Sequence, residues 1–163
     1  MPSRVAPPTP TPGGGYADAA DLDRHLGHVP IIWDLLLPYI VTQGAIDDDD
    51  MGIGESGNDI LDSATWETDF WLRLRDPDDG SYSHGLTNPN DDDVLYQADG
   101  TAISAWANAV NAAMLADAYR IAGQTAEMET YRDAAIEAYG IAESDSDPML
   151  DDNSGLAGRA VVI

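Results

Sequence analysis

Residues 101–143 read TAISAWANAVNAAMLADAYRIAGQTAEMETYRDAAIEAYGIAE, and this stretch decides the fold. Apolar residues recur there at the spacing of an amphipathic helix, first as far as Ala122 and again from Thr125. Gly123 is placed to end the first helix, and Thr125 is placed to cap the second. Because a two-residue joint makes neighbouring helices run antiparallel, the stretch predicts a helical hairpin.

Two further helical blocks precede this hairpin, at about residues 19–41 and 59–75. Asn58 has a side chain suited to cap the second of them. Pro30 and Pro38 predict that the first block is kinked or divided. Since the period-two alternation of β-strands is nearly absent, the sequence predicts an all-α fold with about four core helices.

The apolar stripes of the four blocks predict which side chains face the core. In the first two blocks these residues are Leu22, Leu26, Val29, Trp33, Leu36, Leu37 and Ile40, then Ile60, Leu61, Ala64, Trp71 and Leu74. In the hairpin they are Ile103, Trp106, Val110, Ala113, Met114 and Ile121, then Met128, Tyr131, Ala135, Ala138 and Ala142.

The charge of the chain restricts its partners. Its 163 residues carry 30 acidic and 7 basic side chains, a formal net charge of -23. A nucleic acid or an anionic membrane surface attracts basic side chains, so we expect neither as a partner. Acidic excess along the whole chain is typical of halophilic proteins, because at molar salt the Debye length of about 3 Å screens the self-repulsion. We therefore expect folding to depend on salt.

The composition also sets the domain organisation. Residues 1–15 read MPSRVAPPTPTPGGG, which predicts a Pro/Gly-rich linker ahead of a domain over residues 16–163. The linker lacks the apolar region of a secretory signal peptide, and no run of apolar residues is long enough to span a bilayer. The absence of cysteine excludes disulfides and thiolate metal sites.

Two aspartates, Asp18 and Asp21, stand at the start of the first helical block behind a glycine hinge. Residues three apart project from the same side of a helical turn, so the two carboxylates are close enough to hold one water molecule. They also suit helix capping, since both complement the positive N-terminal end of a helix. The same dipole favours the ionised carboxylate, which suits a general base better than a general acid.

Several motifs resemble glycoside hydrolase family 9, the endoglucanase-type enzymes. Residues 14–21, GGYADAAD, are similar to that family's Gly-Gly-aromatic-x-Asp-Ala-Gly-Asp run, with Ala20 in place of a glycine. Residues 54–62, GESGNDILD, resemble its Pro-Glu-Ser-Gly-Asn segment but are two residues shorter. Residues 79–84, DGSYSH, resemble its Asp-Gly-Gly-Val-Tyr-His loop.

This resemblance covers about residues 13–143 and implies a partial (α/α)6 toroid of the six-hairpin glycosidase type. It implies that Asp21 is the general base activating water and that Asp18 helps to hold that water. It also implies extracellular, inverting hydrolysis of O-glycosidic bonds in a cellulose-type or other β-glucan polysaccharide. Inversion needs a second, protonated carboxyl group. No segment resembles the setting of that general acid. We therefore expect residues 16–163 to be the N-terminal part of a catalytic domain, truncated or split, that is inactive alone and is completed by a missing C-terminal part of the same domain. A degenerate or non-cellulolytic member of the family is the alternative.

Other residues are candidates for substrate binding. Residues 76–100 form a long connection rich in Asp, Asn, Pro and Gly, and connections of that length are commonly functional or mobile. Within it, Tyr82 and His84 are expected to contact a sugar ring, although an ordinary solvated loop explains them equally well. If the family resemblance holds, His25 lies one turn beyond Asp21 and lines the same cleft.

No metal or other cofactor is predicted. The acidic runs at residues 47–50 and 91–93 invite a calcium site, but the first fails the EF-hand pattern, and solvated loops explain both. His25 and His28 stand three residues apart without a third ligand at an evident spacing, so a zinc site is weakly supported.

A helical-repeat interaction scaffold is the alternative to an enzyme. The Ala-rich hairpin around Gly123 superficially resembles one tetratricopeptide-type unit, which would bind a peptide and carry out no catalysis. A solenoid of this kind needs about three or more repeats, and only one copy is present. The scaffold also gives no reason for the carboxylate pair behind Gly15.

Overall fold

The computed structural model of the protein describes residues 25–46, 58–87 and 96–144. Within these ranges the chain forms four helices and one short β-ribbon. The helices are α1 (His25–Val41), α2 (Asp59–Arg73), α3 (Ala102–Ala122) and α4 (Thr125–Ser144), and the strands are β1 (Leu86–Thr87) and β2 (Tyr96–Gln97). The predicted all-α fold with four helices is therefore confirmed. None of the described helices is long and apolar enough to cross a bilayer.

The helix ends follow the local sequence signals. Asn58 caps α2, because its Oδ1 accepts the backbone N–H of Leu61 at 3.1 Å. Thr101 caps α3 by accepting the backbone N–H of Ser104. Gly123 ends α3 in the left-handed conformation, with φ of 76°, where a side chain would be strained. α4 begins at Thr125 itself, one residue earlier than a cap at Thr125 would place it.

Of the two effects predicted for the prolines, a kink or a division of the first block, the division is wrong. α1 continues through both Pro30 and Pro38. Pro38 stands near the end of the helix, where Thr42 closes the last turn by donating both its backbone N–H (3.0 Å) and its hydroxyl (2.7 Å) to the Pro38 carbonyl. Because most helical stability in proteins comes from packing an apolar face, burial of the α1 core residues offsets the backbone hydrogen bonds that proline removes.

Contacts near the middle and the end of α1 show that α1 and α3 run parallel. Trp33 Nε1 donates to Asn111 Oδ1 at 2.9 Å. Farther along, beyond the end of α1, a Cβ atom on Gly44 would lie 3.6 Å from Ile121 Cγ2. Between the first contact and the second, the sequence number rises by about ten residues on both sides, from Trp33 to Gly44 and from Asn111 to Ile121. Both helices therefore begin at the same end of the molecule.

The other two helices run in the opposite direction. Thr65, early in α2, shares a hydrogen bond of 2.7 Å with the Tyr119 hydroxyl, which lies late in α3. Between α3 and α4, Trp106 packs edge-on against Tyr139 with ring centroids 5.0 Å apart, and Tyr119 stacks on Tyr131 at 5.5 Å. Residues early in α3 thus meet residues late in α4, which confirms the antiparallel hairpin.

The buried surface of α3 is wider than its apolar stripe predicts. α3 packs against α1, α2 and α4, and its buried side chains are Ala102, Ile103, Ser104, Ala105, Ala107, Asn108, Ala109, Asn111, Ala112, Leu115, Ala116, Ala118 and Tyr119. Ala113, predicted to face the core, is exposed. A helix that is enclosed on several sides does not reveal its core face through apolar periodicity, because small and polar residues are buried as well.

The buried residues of α2 and α4 agree with the apolar spacing of the sequence better than those of α3 do. The core contains Leu61, Ala64 and Trp71 of α2 and Tyr131, Ala135, Ala138 and Ala142 of α4, as their spacing indicates. On α1, by contrast, Leu37 is exposed, and the buried residues are Ile32, Leu36 and Tyr39. The prediction for Leu37 is therefore wrong, because the apolar residues of α1 are spread over more than one face.

The described parts of the connection between α2 and α3 include a short ribbon beside the start of α3. β1 and β2 pair antiparallel, with Leu86 opposite Gln97. Isolated bridges extend this pairing towards the helices, joining Arg75 to Tyr82 and Ser83 to Gly100. The ribbon therefore lies at the end of the molecule where α1 and α3 begin.

Candidate functional site

The N-terminal turn of α3 carries a small cluster of polar side chains. The hydroxyls of Thr101 and Ser104 lie 2.8 Å apart, and Ser104 Oγ lies 3.4 Å from His84 Nδ1. The backbone N–H of His84 also donates to the Asp99 carbonyl at 3.1 Å, which fixes the loop against the start of the helix. His84, Thr101 and Ser104 thus form one connected group, which we call the α3 N-terminal cluster.

His84 is the member of this cluster that is suited to ligand contact. Its ring is partly buried, and this burial lowers the pKa of His84 below its ordinary value of 6.5, because desolvation disfavours the charged imidazolium. The imidazole is therefore mainly neutral near pH 7. Its Nδ1 faces Ser104, whereas Nε2 makes no hydrogen bond within the part of the chain that the structure describes. That nitrogen is free to exchange a hydrogen bond with a hydroxyl group of a ligand.

Tyr82 occupies a different environment although it is only two residues away. Its side chain is 2% exposed and packs into a cluster with small residues of α3 and α4. Burial raises the pKa of Tyr82, and the nearby Arg75 opposes that rise only in part. Tyr82 is thus an anchor that attaches the loop to the helical hairpin, and a sugar contact from its ring stays a prediction.

Arg75 holds the same loop from outside. Its Nε donates to the Gly80 carbonyl at 3.1 Å, its Nη1 pairs with Glu137 Oε1 at 2.9 Å, and its guanidinium lies 5.9 Å from the centre of the Tyr82 ring. Gly80 has φ of +78°, and a Cβ atom there would lie 3.0 Å from Arg75 Nη2. The left-handed backbone at this position therefore favours glycine, and a larger side chain would also displace the arginine head group slightly.

A line of buried polar residues follows the α3 N-terminal cluster along the helix. Ser104, Asn108 and Asn111 are all fully buried. Asn108 Nδ2 donates to the Ser104 carbonyl at 2.9 Å, and Asn111 Oδ1 accepts from Trp33 of α1. Apolar periodicity does not indicate these residues, because their side chains are polar. Their spacing of four and then three places them on one helical face, which is the signal that indicates them.

The two predicted catalytic residues, Asp18 and Asp21, lie outside the described residues. His25 is the first residue of α1, and its side chain is likewise not described. Because α1 and α3 begin at the same end of the molecule, the start of α1 lies at the end that carries His84. The acidic runs 47–50 and 91–93 also fall outside the described ranges. Within those ranges no group of three or more His, Asp or Glu side chains is arranged to hold a metal ion.

The chemistry available at this end combines a neutral imidazole with two helix N-termini. The helix dipole makes such termini favourable for negative charge. His84 Nε2 can exchange a hydrogen bond with a neutral hydroxyl group of a ligand.

Comparisons with known proteins support the fold. No protein-family model matches the chain, and no curated protein matches it. Among solved structures, a Bacteroides ovatus protein described as GH9 is similar, with a TM-score of 0.64 and 22% sequence identity. The match covers 79% of this chain but 26% of that protein, so the chain spans about a quarter of its length. The chain therefore has an all-α fold that corresponds to part of an α/α toroid.

Proposed function

We propose that this chain is part of a glycoside hydrolase similar to family 9, which cleaves O-glycosidic bonds in a cellulose-type or other β-glucan with inversion of configuration. The proposal rests on the agreement of two independent signals. Residues 14–21 resemble the catalytic motif of that family, and the helices that follow have the fold of a protein described as GH9.

In this proposal Asp21 is the general base and Asp18 helps to hold the attacking water. If both residues lie at the start of a helix, as the sequence predicts, the helix dipole favours the ionised form of both carboxyl groups, and a general base has to be ionised. The water attacks the anomeric carbon while a protonated carboxyl group on the other side donates a proton to the leaving oxygen. We expect that general acid to come from a part of the catalytic domain outside residues 16–163.

The substrate contacts follow from the loop geometry. His84 is the stronger candidate, because its Nε2 is available to a sugar hydroxyl while Ser104 lies near Nδ1. His25 is proposed to line the same cleft, since it is the first residue of α1. A contact from Tyr82 is retained as a weaker proposal, because that side chain is almost entirely buried.

Activity of the protein isolated from its native host tests this proposal. Wild type is expected to release reducing sugar from barley β-glucan or carboxymethyl cellulose, and the first product observed by NMR should be the α-anomer. Asp21→Asn should lower turnover by about 10²–10⁴-fold, the usual contribution of a general base, while cello-oligosaccharide affinity changes little. Asp23→Asn is the matched control and should retain activity.

Two results would contradict the proposal. Near-normal turnover by Asp21→Asn would show that Asp21 is not the general base. A β-anomer as the first product would show that the configuration is retained and not inverted. If the protein releases no sugar and instead binds an apolar peptide on the α3–α4 hairpin, the scaffold alternative replaces the enzyme.

A further inference from the structure

The α3 N-terminal cluster contains a chain of three polar groups whose protons can be arranged in two ways. Ser104 Oγ lies between the Thr101 hydroxyl, at 2.8 Å, and His84 Nδ1, at 3.4 Å. Because a hydroxyl group has one proton, Ser104 donates to one of these neighbours and accepts from the other. If Ser104 donates to Thr101, neutral His84 carries its proton on Nδ1. If Ser104 donates to His84, the proton of His84 is on Nε2.

The hydroxyl of Ser104 has no other partner in the described ranges. Ser104 is fully buried, its backbone N–H donates to Thr101 Oγ1 at 3.1 Å, and its carbonyl accepts from Asn108 Nδ2 at 2.9 Å. Since a buried hydroxyl group is costly without a hydrogen bond, its proton goes either to Thr101 or to His84.

The partners of Thr101 favour donation to His84. Thr101 Oγ1 already accepts the backbone N–H of Ser104, and among the described residues its own proton has one acceptor, Ser104 Oγ. With Thr101 donating to Ser104 and Ser104 donating to His84, both hydroxyl protons have an acceptor within the protein. The reverse arrangement gives the Thr101 proton no acceptor in the part of the chain that the structure describes.

The dipole of α3 favours the same arrangement. Thr101 is the N-cap of this helix, and Ser104 lies in its first turn, where the dipole places partial positive charge. A lone pair on Nδ1 is stabilised when it faces this charge, whereas an N–H group at the same place is disfavoured. Because neutral imidazole has a single N–H group, the proton of His84 then lies on Nε2.

Backbone hydrogen bonds hold the three groups in place. The backbone N–H of His84 donates to the Asp99 carbonyl at 3.1 Å, and the backbone N–H of Thr101 donates to the Tyr82 carbonyl at 3.1 Å. The ribbon therefore fixes His84 beside the N-cap of α3. The separation of 3.4 Å between Nδ1 and Ser104 Oγ is long for a hydrogen bond, and such contacts in ligand-free sites commonly shorten when the ligand binds.

We propose that Thr101 and Ser104 are positioning residues whose hydroxyl groups keep neutral His84 in its Nε2–H form, so that His84 donates a hydrogen bond to a ligand oxygen. The ligand group that fits is a hydroxyl oxygen whose own proton is donated elsewhere. The place of the proton on His84 rests on the hydrogen bonds described above, whereas the identification of that ligand group as a sugar hydroxyl rests on the proposed function.

NMR of histidine side chains labelled with ¹⁵N tests the proposal in the protein expressed in its native host. At about pH 8 the imidazole is neutral, and protonated and unprotonated ring nitrogens have well-separated chemical shifts, so the ratio of the Nε2–H form to the Nδ1–H form is measured directly. His84→Asn identifies the His84 signals. Wild type is expected to be almost entirely in the Nε2–H form. Ser104→Ala should lower the ratio several-fold, because an unconstrained imidazole populates both forms.

Thr101→Asp is the sharper variant, because it reverses the order of the donors. The introduced carboxylate still caps α3 but has no proton to donate, so Ser104 should donate to it and His84 should carry its proton on Nδ1. The ratio should therefore fall below one. Thr101→Ser keeps the hydroxyl group and should keep the wild-type ratio. Thr125→Asp places the same charge at the exposed start of α4 and should leave the ratio unchanged.

The proposal is overturned if wild-type His84 is mainly in the Nδ1–H form, if Ser104→Ala or Thr101→Asp keeps the wild-type ratio, or if Thr125→Asp lowers it as much as Thr101→Asp. A titration with cellotetraose separates this result from the proposed function. In the Asp21→Asn protein, which should bind the sugar without turnover, cellotetraose should shift the Nε2–H signal of His84. An unmoved signal, together with an inverted ratio in Thr101→Asp, would support the positioning role and refute the sugar contact of His84.

Discussion

Replacing Arg75 by methionine tests whether this residue holds the loop that carries His84. The change removes three interactions of the guanidinium: the hydrogen bond to the Gly80 carbonyl, the ion pair with Glu137 and the contact with the Tyr82 ring. Methionine keeps an unbranched apolar side chain, so most of the aliphatic packing is retained. The variant therefore isolates the contribution of the charged group.

The three interactions differ in size and in their response to salt. The ion pair is partly exposed and contributes about 0–1 kcal/mol, which molar salt removes. The hydrogen bond contributes about 1–1.5 kcal/mol after allowance for partial exposure, and the ring contact, near the distance limit, about 0.5 kcal/mol. The total of about 1.5–3 kcal/mol corresponds to a fall in Tm of about 3–12 °C for a chain of this size.

Unfolding by urea at 0.1 M and at 2 M KCl measures these contributions separately. Arg75→Met should lower the free energy of unfolding in both conditions and keep about 1.5–2 kcal/mol of the effect at 2 M KCl. Glu137→Gln removes the ion pair alone and should lose its effect at high salt. Arg120→Met is the matched control, because Arg120 pairs with Asp117 of the same helix on the exposed surface of α3.

The reasoning is refuted if Arg75→Met and Glu137→Gln have equal effects at low salt and both effects vanish at 2 M KCl. Arg75 would then act through the exposed ion pair alone. An effect of Arg120→Met as large as that of Arg75→Met would refute it as well, since the loss would reflect charge in general.

Two further predictions concern salt and pH. The Tm of the wild-type chain should rise between 0.1 M and 2 M KCl, because salt screens the repulsion among the acidic side chains of a chain with a net charge of -23. An unchanged Tm would contradict the halophilic interpretation. NMR titration should give His84 a pKa below 6.5, and a value at or above 6.5 would contradict the burial argument. Since the unfolded chain then binds the proton more readily, the stability that neutral His84 contributes is present above about pH 6.5 and is lost as pH falls. His84→Asn should remove that part of the pH dependence.

Local signals in the sequence were sufficient for much of the helical structure. The Asn58 cap, the Gly123 stop and the buried stripe of α4 depend on residues that are close together in the chain, and all three are confirmed. The cap and the stop are determined by backbone hydrogen bonds at the helix ends, so short stretches of sequence contain the information needed to predict them.

The packing of α1 and α3 was less predictable because it depends on distant parts of the chain. Ala113 is exposed, whereas Asn108 and Asn111 are buried, although periodicity favours the opposite assignment. The burial of Asn111 is explained by the Trp33 side chain, which stands 78 residues away in sequence and donates to its amide oxygen. A local sequence pattern cannot indicate a hydrogen-bond partner that is so distant in the chain.

Helix direction also explains why His84 and the start of α1 lie at one end of the molecule. α1 and α3 run parallel and α2 runs in the opposite direction, so α1 begins at the end where the connection from α2 reaches α3. The connection from α1 to α2 leaves and returns at the opposite end, where Asn58 Nδ2 donates to the Tyr39 hydroxyl at 3.1 Å. The topology therefore puts the start of α1 at the same end of the molecule as His84.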